Sequence, residues 1–240
     1  IFRILLDLPE LTGLTVRPSC DELLAAAALP FESWKADANV RGAVATFMLE
    51  RLHYVLDQRG HDIRNVRAVI GATGSGVKPL EARRKLEVLP DFTESSDFKQ
   101  LAMAFKRVRN IACDLSDADY NEAERSQPDL NGLLTEDAER QLLAEVEARQ
   151  PVIEDVIDAG EDFRRGFSEA AKFGPAVNRF FAEVFVMVDD PVIRVARLRL
   201  MKRLERLILQ LADISEIVVE VGEDDASHVT EGVGNVTRSE

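Results

Sequence analysis

Two clusters of polar side chains in this sequence have the residue types and the spacing that contact nucleic acids. The first, called here the central cluster, consists of Lys106, Arg107 and Asn110; the second, called the basic stripe, consists of Arg199, Lys202, Arg203 and Arg206. Ammonium and guanidinium groups bind phosphate, whereas an amide can contact a phosphate or the edge of a base. On a helix, side chains spaced like those of the stripe lie along one face. Both clusters are therefore candidate nucleic-acid contacts.

Each cluster also has an interpretation that involves no ligand. A basic helix face is often only solvated and helps solubility, and the central cluster could lie on a helix surface or form hydrogen bonds between helices. Arg197 is a different case, because the helical pattern places it within an apolar face. Since a lone buried charge is very costly, we predict that Arg197 pairs with a carboxylate and has a structural role.

No constellation of catalytic residues is visible in the sequence. His61 and Asp62 form the dipeptide of metal phosphohydrolases, but a metal site needs more His or Asp ligands, and Asp62 as a helix N-cap explains the pair. Segment 71–78, GATGSGVK, lacks the Gly-Lys-Ser/Thr order of a phosphate-binding loop. Cys20 and Cys113 are isolated, which favours reduced thiols. We therefore expect no catalytic residue and no metal site.

The elements that must position the two clusters are helices. Apolar residues over 97–115 recur at steps of three and four, which predicts an amphipathic helix with the central cluster on its outer side. Arg109 falls at the border of the apolar face, where we expect it to pack or to pair. Asp190 and Pro191 predict the start of a second long helix, with Asp190 as N-cap. That helix carries the basic stripe on its outer, exposed face.

The remaining chain is also predicted to be helical, which makes the fold class all-α. Predicted helices cover 21–29, 41–59, 62–72, 80–89, 135–150, 152–159, 161–172 and 177–188. The polar, acidic segment 116–131 is predicted to be a loop. We expect a small helical region over 1–95, a helical bundle over 96–217 and, because it has no apolar face to bury, a disordered acidic tail over 218–240.

The charge is unevenly distributed. The net charge of −13 argues against a general nucleic-acid binder. However, residues 41–113 hold 13 basic and 8 acidic side chains and residues 164–213 hold 10 and 6, whereas residues 114–163 hold 3 and 16. Both clusters lie in the basic segments, so a local basic surface remains compatible with the composition. The sequence has no apolar run of about eighteen residues, as a membrane span would need. The two isolated cysteines fit reduced thiols in a cytosol, and we expect a cytoplasmic protein.

Three blocks of sequence resemble one family. FKRVRNI, at 105–111, resembles the KR-(V/I)-x-NI signature of the beta subunit of bacterial heterotetrameric glycyl-tRNA synthetase. FAEVFVMVDDPVIRVARLRLMKRLERLILQLADIS, at 181–215, resembles that subunit's FDKVMVM-x-DD…R-x-NRL…L…ADIS block, and FMLERLHYVL resembles its F-x-x-(E/D)RL segment. Phe105, Arg109 and Ala196 depart from the family pattern, which usually has Asn, a small residue and Asn there.

This resemblance implies a function as well as a fold. It implies that 96–217 form an anticodon-binding bundle of the DALR type, in the C-terminal part of a longer ligase subunit. The partners would be tRNA-Gly and the alpha subunit, which would use ATP and Mg to make glycyl-tRNA, while this chain would bind no cofactor and perform no chemistry. The alternative from another class is a helical assembly module that binds only protein, which would also explain the acidity.

Overall fold

The computed structural model describes residues 1–31 and 38–217, so the predicted tail over 218–240 lies outside the described residues. Within those two ranges the chain is helical and contains no β-strand, which confirms the all-α prediction. No helix in the described part of the chain has both the length and the apolar character that crossing a membrane requires.

The helices are numbered here in chain order. They are α1 (Phe2–Leu6), α2 (Leu8–Thr12), α3 (Cys20–Ala28), α4 (Ala38–Asp57), α5 (Ile63–Gly71), α6 (Pro79–Val88), α7 (Pro90–Thr93), α8 (Ser96–Ala112), α9 (Asp117–Ser126), α10 (Asp137–Ala159), α11 (Phe163–Ala171), α12 (Gly174–Glu183) and α13 (Pro191–Leu209). Short 3-10 turns cover Gly74–Gly76, Asn131–Leu133 and Ile214–Glu216.

Helix α8 lies at the centre of the core, as its apolar pattern predicts. Phe98, Phe105 and Val108 are completely buried, and each such side chain contributes about 1.5–3 kcal/mol through its burial. The inner face of α8 packs against α12 and α13. At its N-terminus, the hydroxyl of Ser95 accepts a hydrogen bond from the backbone N–H of Phe98 (3.5 Å). Packing along the inner face therefore fixes the direction in which the central cluster points.

Two N-caps that the sequence predicts are present. The carboxylate of Asp62 accepts hydrogen bonds from two backbone N–H groups in the first turn of α5, at 2.8 and 3.3 Å. The carboxylate of Asp190 does the same for α13, at 2.8 and 3.2 Å. Each carboxylate satisfies N–H groups that have no partner within the helix, so these two helices begin where local chemistry predicts.

The acidic segment 116–131 is not a loop as predicted, because it contains α9. The hydroxyl of Ser116 accepts a hydrogen bond from the backbone N–H of Asp119 (3.1 Å), which caps the helix. Tyr120 is the one buried residue of α9, and the helix lies against α13. A helix with so little apolar surface depends on its polar contacts, which is why its sequence resembles a loop.

Helix α10 continues through Pro151, where the sequence predicts a break. Proline has no backbone N–H and cannot donate to the carbonyl four residues earlier, which weakens a helix interior. Val146 and Ile153, on either side of it, are completely buried. Packing of α10 against α11, α12 and α13 therefore outweighs the lost hydrogen bond, and the predicted helices over 135–150 and 152–159 form one element.

Polar contacts join the first helices to the bundle. The guanidinium of Arg84, in α6, donates to the carbonyl of Gly160 (2.7 Å), and Lys85 Nζ donates to the carbonyl of Gln210 (2.7 Å). Helix α6 also packs directly on α11. The proposed division between residues 95 and 96 stays a prediction, although α8 does begin at that point.

Candidate nucleic-acid interface

The central cluster lies on the solvent side of α8. Lys106, Arg107 and Asn110 are all exposed. The guanidinium carbon of Arg107 lies 4.2 Å from the ring centre of Phe181, a cation–π contact that places the C-terminal part of α12 beside the cluster. Within the described residues, the side-chain amide of Asn110 forms no hydrogen bond. A ligand can therefore reach this face of α8.

Arg199 of the basic stripe is completely buried, contrary to the exposed face that we predict from the sequence. Its Nε and Nη2 donate to Glu124 Oε1 at 3.1 and 2.8 Å, and Nη2 also donates to the carbonyl of Gln127 at 2.7 Å. Both acceptors lie in or next to α9. Arg199 therefore holds α9 to α13 and is not available to a ligand.

Two other members of the stripe also face α9. Lys202 Nζ lies 3.0 Å from Glu205 and 3.5 Å from Asp117, and 12% of the Lys202 side chain is exposed. Arg206 Nη2 lies 2.8 Å from the carboxylate of Asp117, and the guanidinium carbon lies 4.2 Å from the ring centre of Tyr120. These contacts place Tyr120 and Asp117 of α9 against Lys202 and Arg206.

The fourth member of the stripe faces α10. Arg203 donates to the side-chain carbonyl of Gln150 at 3.0 and 3.3 Å and lies 3.6 Å from Glu147. The basic stripe therefore joins helices instead of forming an open face, so the prediction of exposure is wrong. The physical reason is that the acidic segment 114–163 folds back on α13 and compensates its charge.

The charges in this contact shift one another's pKa. The hydrogen bond from Arg206 and the charge of Lys202 lower the pKa of Asp117 below its ordinary value. Burial lowers the pKa of Lys202, but the hydrogen bonds and charges of Glu205 and Asp117 together outweigh it, so the pKa of Lys202 is raised. Both shifts favour the charged forms, which maintains the ion pairs at neutral pH.

Arg197 has the structural role that the sequence predicts. Its Nε donates to Glu139 Oε1 in a buried ion pair, and its Nη1 donates to the carbonyl of Phe185 at 2.6 Å. Arg109 also pairs, as predicted: its guanidinium bonds to Asp213 and lies 3.8 Å from Glu205. These two arginines hold the bundle together and are not part of an exposed basic surface.

The segment that follows α12 is exposed on one side, contrary to the sequence prediction. The sequence predicts a helix over 177–188 whose crowded apolar residues pack in the core, yet α12 ends at Glu183, and 73% of Phe185 and 44% of Met187 are exposed. Val184 and Val186, which alternate with them, are buried. Such alternation in burial is typical of an extended backbone with one side facing solvent. Because all four residues are apolar, their sequence does not indicate which side that is.

The His61-Asp62 dipeptide and segment 71–78 both have structural roles. Asp62 is the cap of α5, and no group of three or more His, Cys, Asp or Glu within residues 1–31 and 38–217 could hold a metal ion. Segment 71–78 joins α5 to α6 through a 3-10 turn, so it connects two helices, whereas a phosphate-binding loop follows a strand.

Known proteins match this chain over most of its length. Residues 101–219 match the family described as the DALR anticodon binding domain. The glycine–tRNA ligase beta subunit of Ralstonia nicotianae is 33% identical over 217 residues, which are 90% of this chain and 29% of that protein. The beta subunit of Aliivibrio fischeri is 32% identical over 194 residues, 81% of this chain and 27% of that protein. That of an Anaeromyxobacter species is 37% identical over 185 residues, with shares of 76% and 25%. The chain thus spans less than a third of the length of these relatives.

Proposed function

We propose, on the premise that residues 101–219 belong to the DALR anticodon-binding domain family, that this chain binds the anticodon part of a tRNA. The tRNA proposed is tRNA-Gly, because the similar proteins are beta subunits of glycine–tRNA ligase. The observation that supports the proposal best is the central cluster, which lies within the matched residues on an exposed face of α8. It combines two cationic side chains that can bind phosphate with an amide that can bind the edge of a base.

The members of the central cluster have different proposed roles. Lys106 and Arg107 contact phosphates, because their charges suit the RNA backbone, and Asn110 contacts the edge of an unstacked base. Arg203 and Arg206 retain 26% and 37% side-chain exposure and are candidates for outlying phosphate contacts. Arg199 and Lys202 support binding only through the fold, since Arg199 is completely buried and Lys202 nearly so.

The proposed role in glycylation is recognition of the tRNA. An alpha subunit would use ATP and Mg to form glycyl-tRNA, and this chain would hold the anticodon end without supplying a catalytic residue or a cofactor site. A ligase with this role acts where translation takes place, so the cytoplasm is the proposed location.

Salt-dependent titration with tRNA-Gly tests the proposal. The affinities of the wild-type chain and of a Lys106→Gln, Arg107→Gln double variant are measured by filter binding at several salt concentrations. Each lost phosphate contact lowers the slope of log affinity against log salt by about 0.7–0.9, so the double variant should bind more weakly with a flatter slope. The matched control is Arg164→Gln with Arg165→Gln, which removes the same charge from exposed positions of α11.

The possible outcomes separate RNA binding from protein assembly. A flatter slope in the Lys106→Gln, Arg107→Gln variant, and not in the control, supports the exposed face of α8 as the tRNA contact. Equal slopes in both double variants would mean that the tRNA contacts another surface. Absence of tRNA binding by the wild-type chain, together with stable association with a ligase subunit, would favour an assembly module in place of RNA recognition.

A further inference from the structure

We infer that the segment between α12 and α13, residues 184–190, is a platform for one unpaired base of the anticodon, with Phe185 stacking on the base and Asp189 accepting a hydrogen bond from its amino group. This inference rests on the proposed function, because it names a subsite within the tRNA contact. It concerns residues outside both of the clusters that the sequence singles out.

The first observation is an exposed apolar group at the junction of two helices. Phe185 is 73% exposed and Met187 44%, and in the first turns of α13 Val192 is 53% exposed and Val195 37%. A single exposed apolar residue is ordinary, whereas several in one short stretch mark a binding surface. Because Val184 and Val186 are buried, the backbone directs the Phe185 ring to the opposite side, into solvent.

The second observation is that the backbone under the Phe185 ring is fixed. The carbonyl of Phe185 accepts a hydrogen bond from Arg197 Nη1 at 2.6 Å, and Arg197 is itself held by the buried carboxylate of Glu139. The side chains of Val184 and Val186, on either side, are buried. A ring presented from a fixed backbone loses little entropy on binding, which favours a stacking contact. Base–aromatic stacking suits any nucleotide because every base has a π face.

The third observation is a carboxylate that the fold does not use. Asp190 caps α13, but the exposed carboxylate of Asp189 accepts no hydrogen bond and forms no ion pair with any described residue. A carboxylate only accepts, and on a base edge it suits the N4 amino group of cytosine. Glycine codons begin with two guanosines, so a glycine anticodon contains adjacent cytosines. Asp189 therefore fits the base that the proposed tRNA would present.

The platform continues the surface of the central cluster. Arg107 stacks on Phe181, near the end of α12, and residues 184–190 follow directly after that helix. On the other side, the exposed Arg194 forms no ion pair within the described ranges and is suited to a phosphate next to the stacked base. An RNA strand whose backbone lies along α8 would thus reach the platform beside Phe181.

Substitution of Phe185 tests the stacking contact. The affinity of the whole chain for an anticodon stem-loop of tRNA-Gly is measured by fluorescence anisotropy for Phe185→Ala, Phe185→Leu and Phe185→Tyr. Loss of one stacked base should weaken binding roughly tenfold in Phe185→Ala and Phe185→Leu, whereas Phe185→Tyr should bind like the wild type. Phe47→Ala is the matched control, because Phe47 is 63% exposed on α4 and should not affect RNA binding.

Substitution of Asp189 tests the choice of base. Wild type should prefer the cytosine-containing loop to one in which uracil replaces cytosine, since uracil presents a carbonyl where cytosine has its amino group. Asp189→Asn should reduce that preference, and the control Asp57→Asn should retain it. Wild-type affinity of Phe185→Leu would overturn the platform and leave tRNA binding intact. Unchanged binding by Phe185→Ala, together with an unchanged base preference in Asp189→Asn, would do the same. Failure of the wild type to bind any stem-loop would overturn the proposed function as well.

Discussion

Arg199 and Glu124 are 75 residues apart in the chain and form an ion pair in which the guanidinium is completely buried. The shortest N–O distance is 2.8 Å. This pair attaches α9, which buries only one of its own residues, to the long helix α13. The positive charge of the basic stripe is therefore part of what holds the bundle together.

Removing the charge of Glu124 should destabilise the protein. Glu124→Gln leaves the buried guanidinium of Arg199 with one neutral carbonyl and a weaker side-chain acceptor. Because Glu124 is one-third exposed, water offsets part of the loss, and we expect a decrease of about 1–3 kcal/mol in the free energy of unfolding. Urea denaturation followed by circular dichroism measures this change.

The control lies on the same helix. Among the described residues, Glu122 pairs only with Arg125, and it is 68% exposed, so Glu122→Gln should change the free energy of unfolding by less than about 0.5 kcal/mol. Similar losses in both variants would show that acidity of α9 in general, and not the pair with Arg199, stabilises this contact.

The buried pair of Arg197 and Glu139 should be more sensitive. Arg197→Ala leaves a cavity and an unpaired carboxylate, which should cost about 3–5 kcal/mol in the free energy of unfolding. Arg197→Leu should cost less because it restores packing, but it still leaves Glu139 without its partner. Arg194→Ala, one turn earlier on the exposed side of α13, is the control and should be nearly neutral. Wild-type stability of both Arg197 variants would contradict the structural role.

Arg197 and Arg199 also show how much of the fold can be predicted from the sequence. The position of Arg197 within an apolar face predicts a carboxylate partner, and the partner exists, but nothing local identifies Glu139 among the many acidic residues. For Arg199 the same helical pattern predicts exposure, and the prediction is wrong. The side that a helix exposes depends on what packs there, and α9 has no apolar periodicity that would predict its docking.

The sequence predicts structure correctly where a few adjacent residues determine it. Asp190 caps α13 as predicted, because a cap needs only the side chain and the next two N–H groups. The apolar pattern of α8 correctly gave its buried face. Pro151 and Phe185 were predicted wrongly because packing contacts distant in sequence decide whether the helix continues and whether the ring is covered.

Two glycine substitutions should change stability in opposite directions. Gly160 has φ of +65°, and a Cβ there would lie 1.5 Å from Arg17 Nη1, so Gly160→Ala should strain the backbone and displace Arg17. We expect a loss of about 2–3 kcal/mol. Gly42, on an exposed side of α4, has no atom of the described residues near its Cβ position, and Gly42→Ala should gain about 0.5–1 kcal/mol. Thermal denaturation of both variants measures the contrast; a neutral Gly160→Ala would contradict the close approach of Arg17.

Titration of Lys85 should increase the free energy of unfolding as the pH rises from about 8 toward 10.5. Burial lowers the pKa of Lys85 from 10.5 to about 8, against an opposing effect of Glu81. In that window the folded lysine is neutral while the unfolded lysine keeps its proton, so the free energy of unfolding rises with pH, by at most about 1.4 kcal/mol per pH unit. Below pH 8 both states are protonated and this contribution is constant.

Comparison with Lys85→Met isolates this effect. Burial raises the pKa of Cys20 from 9.0 to about 11, which lowers stability above pH 9, but the effect is the same in both proteins. The stability of the wild type minus that of the variant should therefore rise across the window. A difference that stays flat would show that Lys85 is neutralised in some other way or is solvated.

Anticodon recognition is tested most directly by the ratio of two affinities. The wild-type chain is titrated at one moderate salt concentration with tRNA-Gly and with the same tRNA whose anticodon cytosines are replaced, so that phosphate contacts are equal and only base contacts differ. Base recognition predicts that tRNA-Gly binds at least roughly tenfold more tightly. Equal affinities for the two tRNAs would contradict anticodon recognition by this chain.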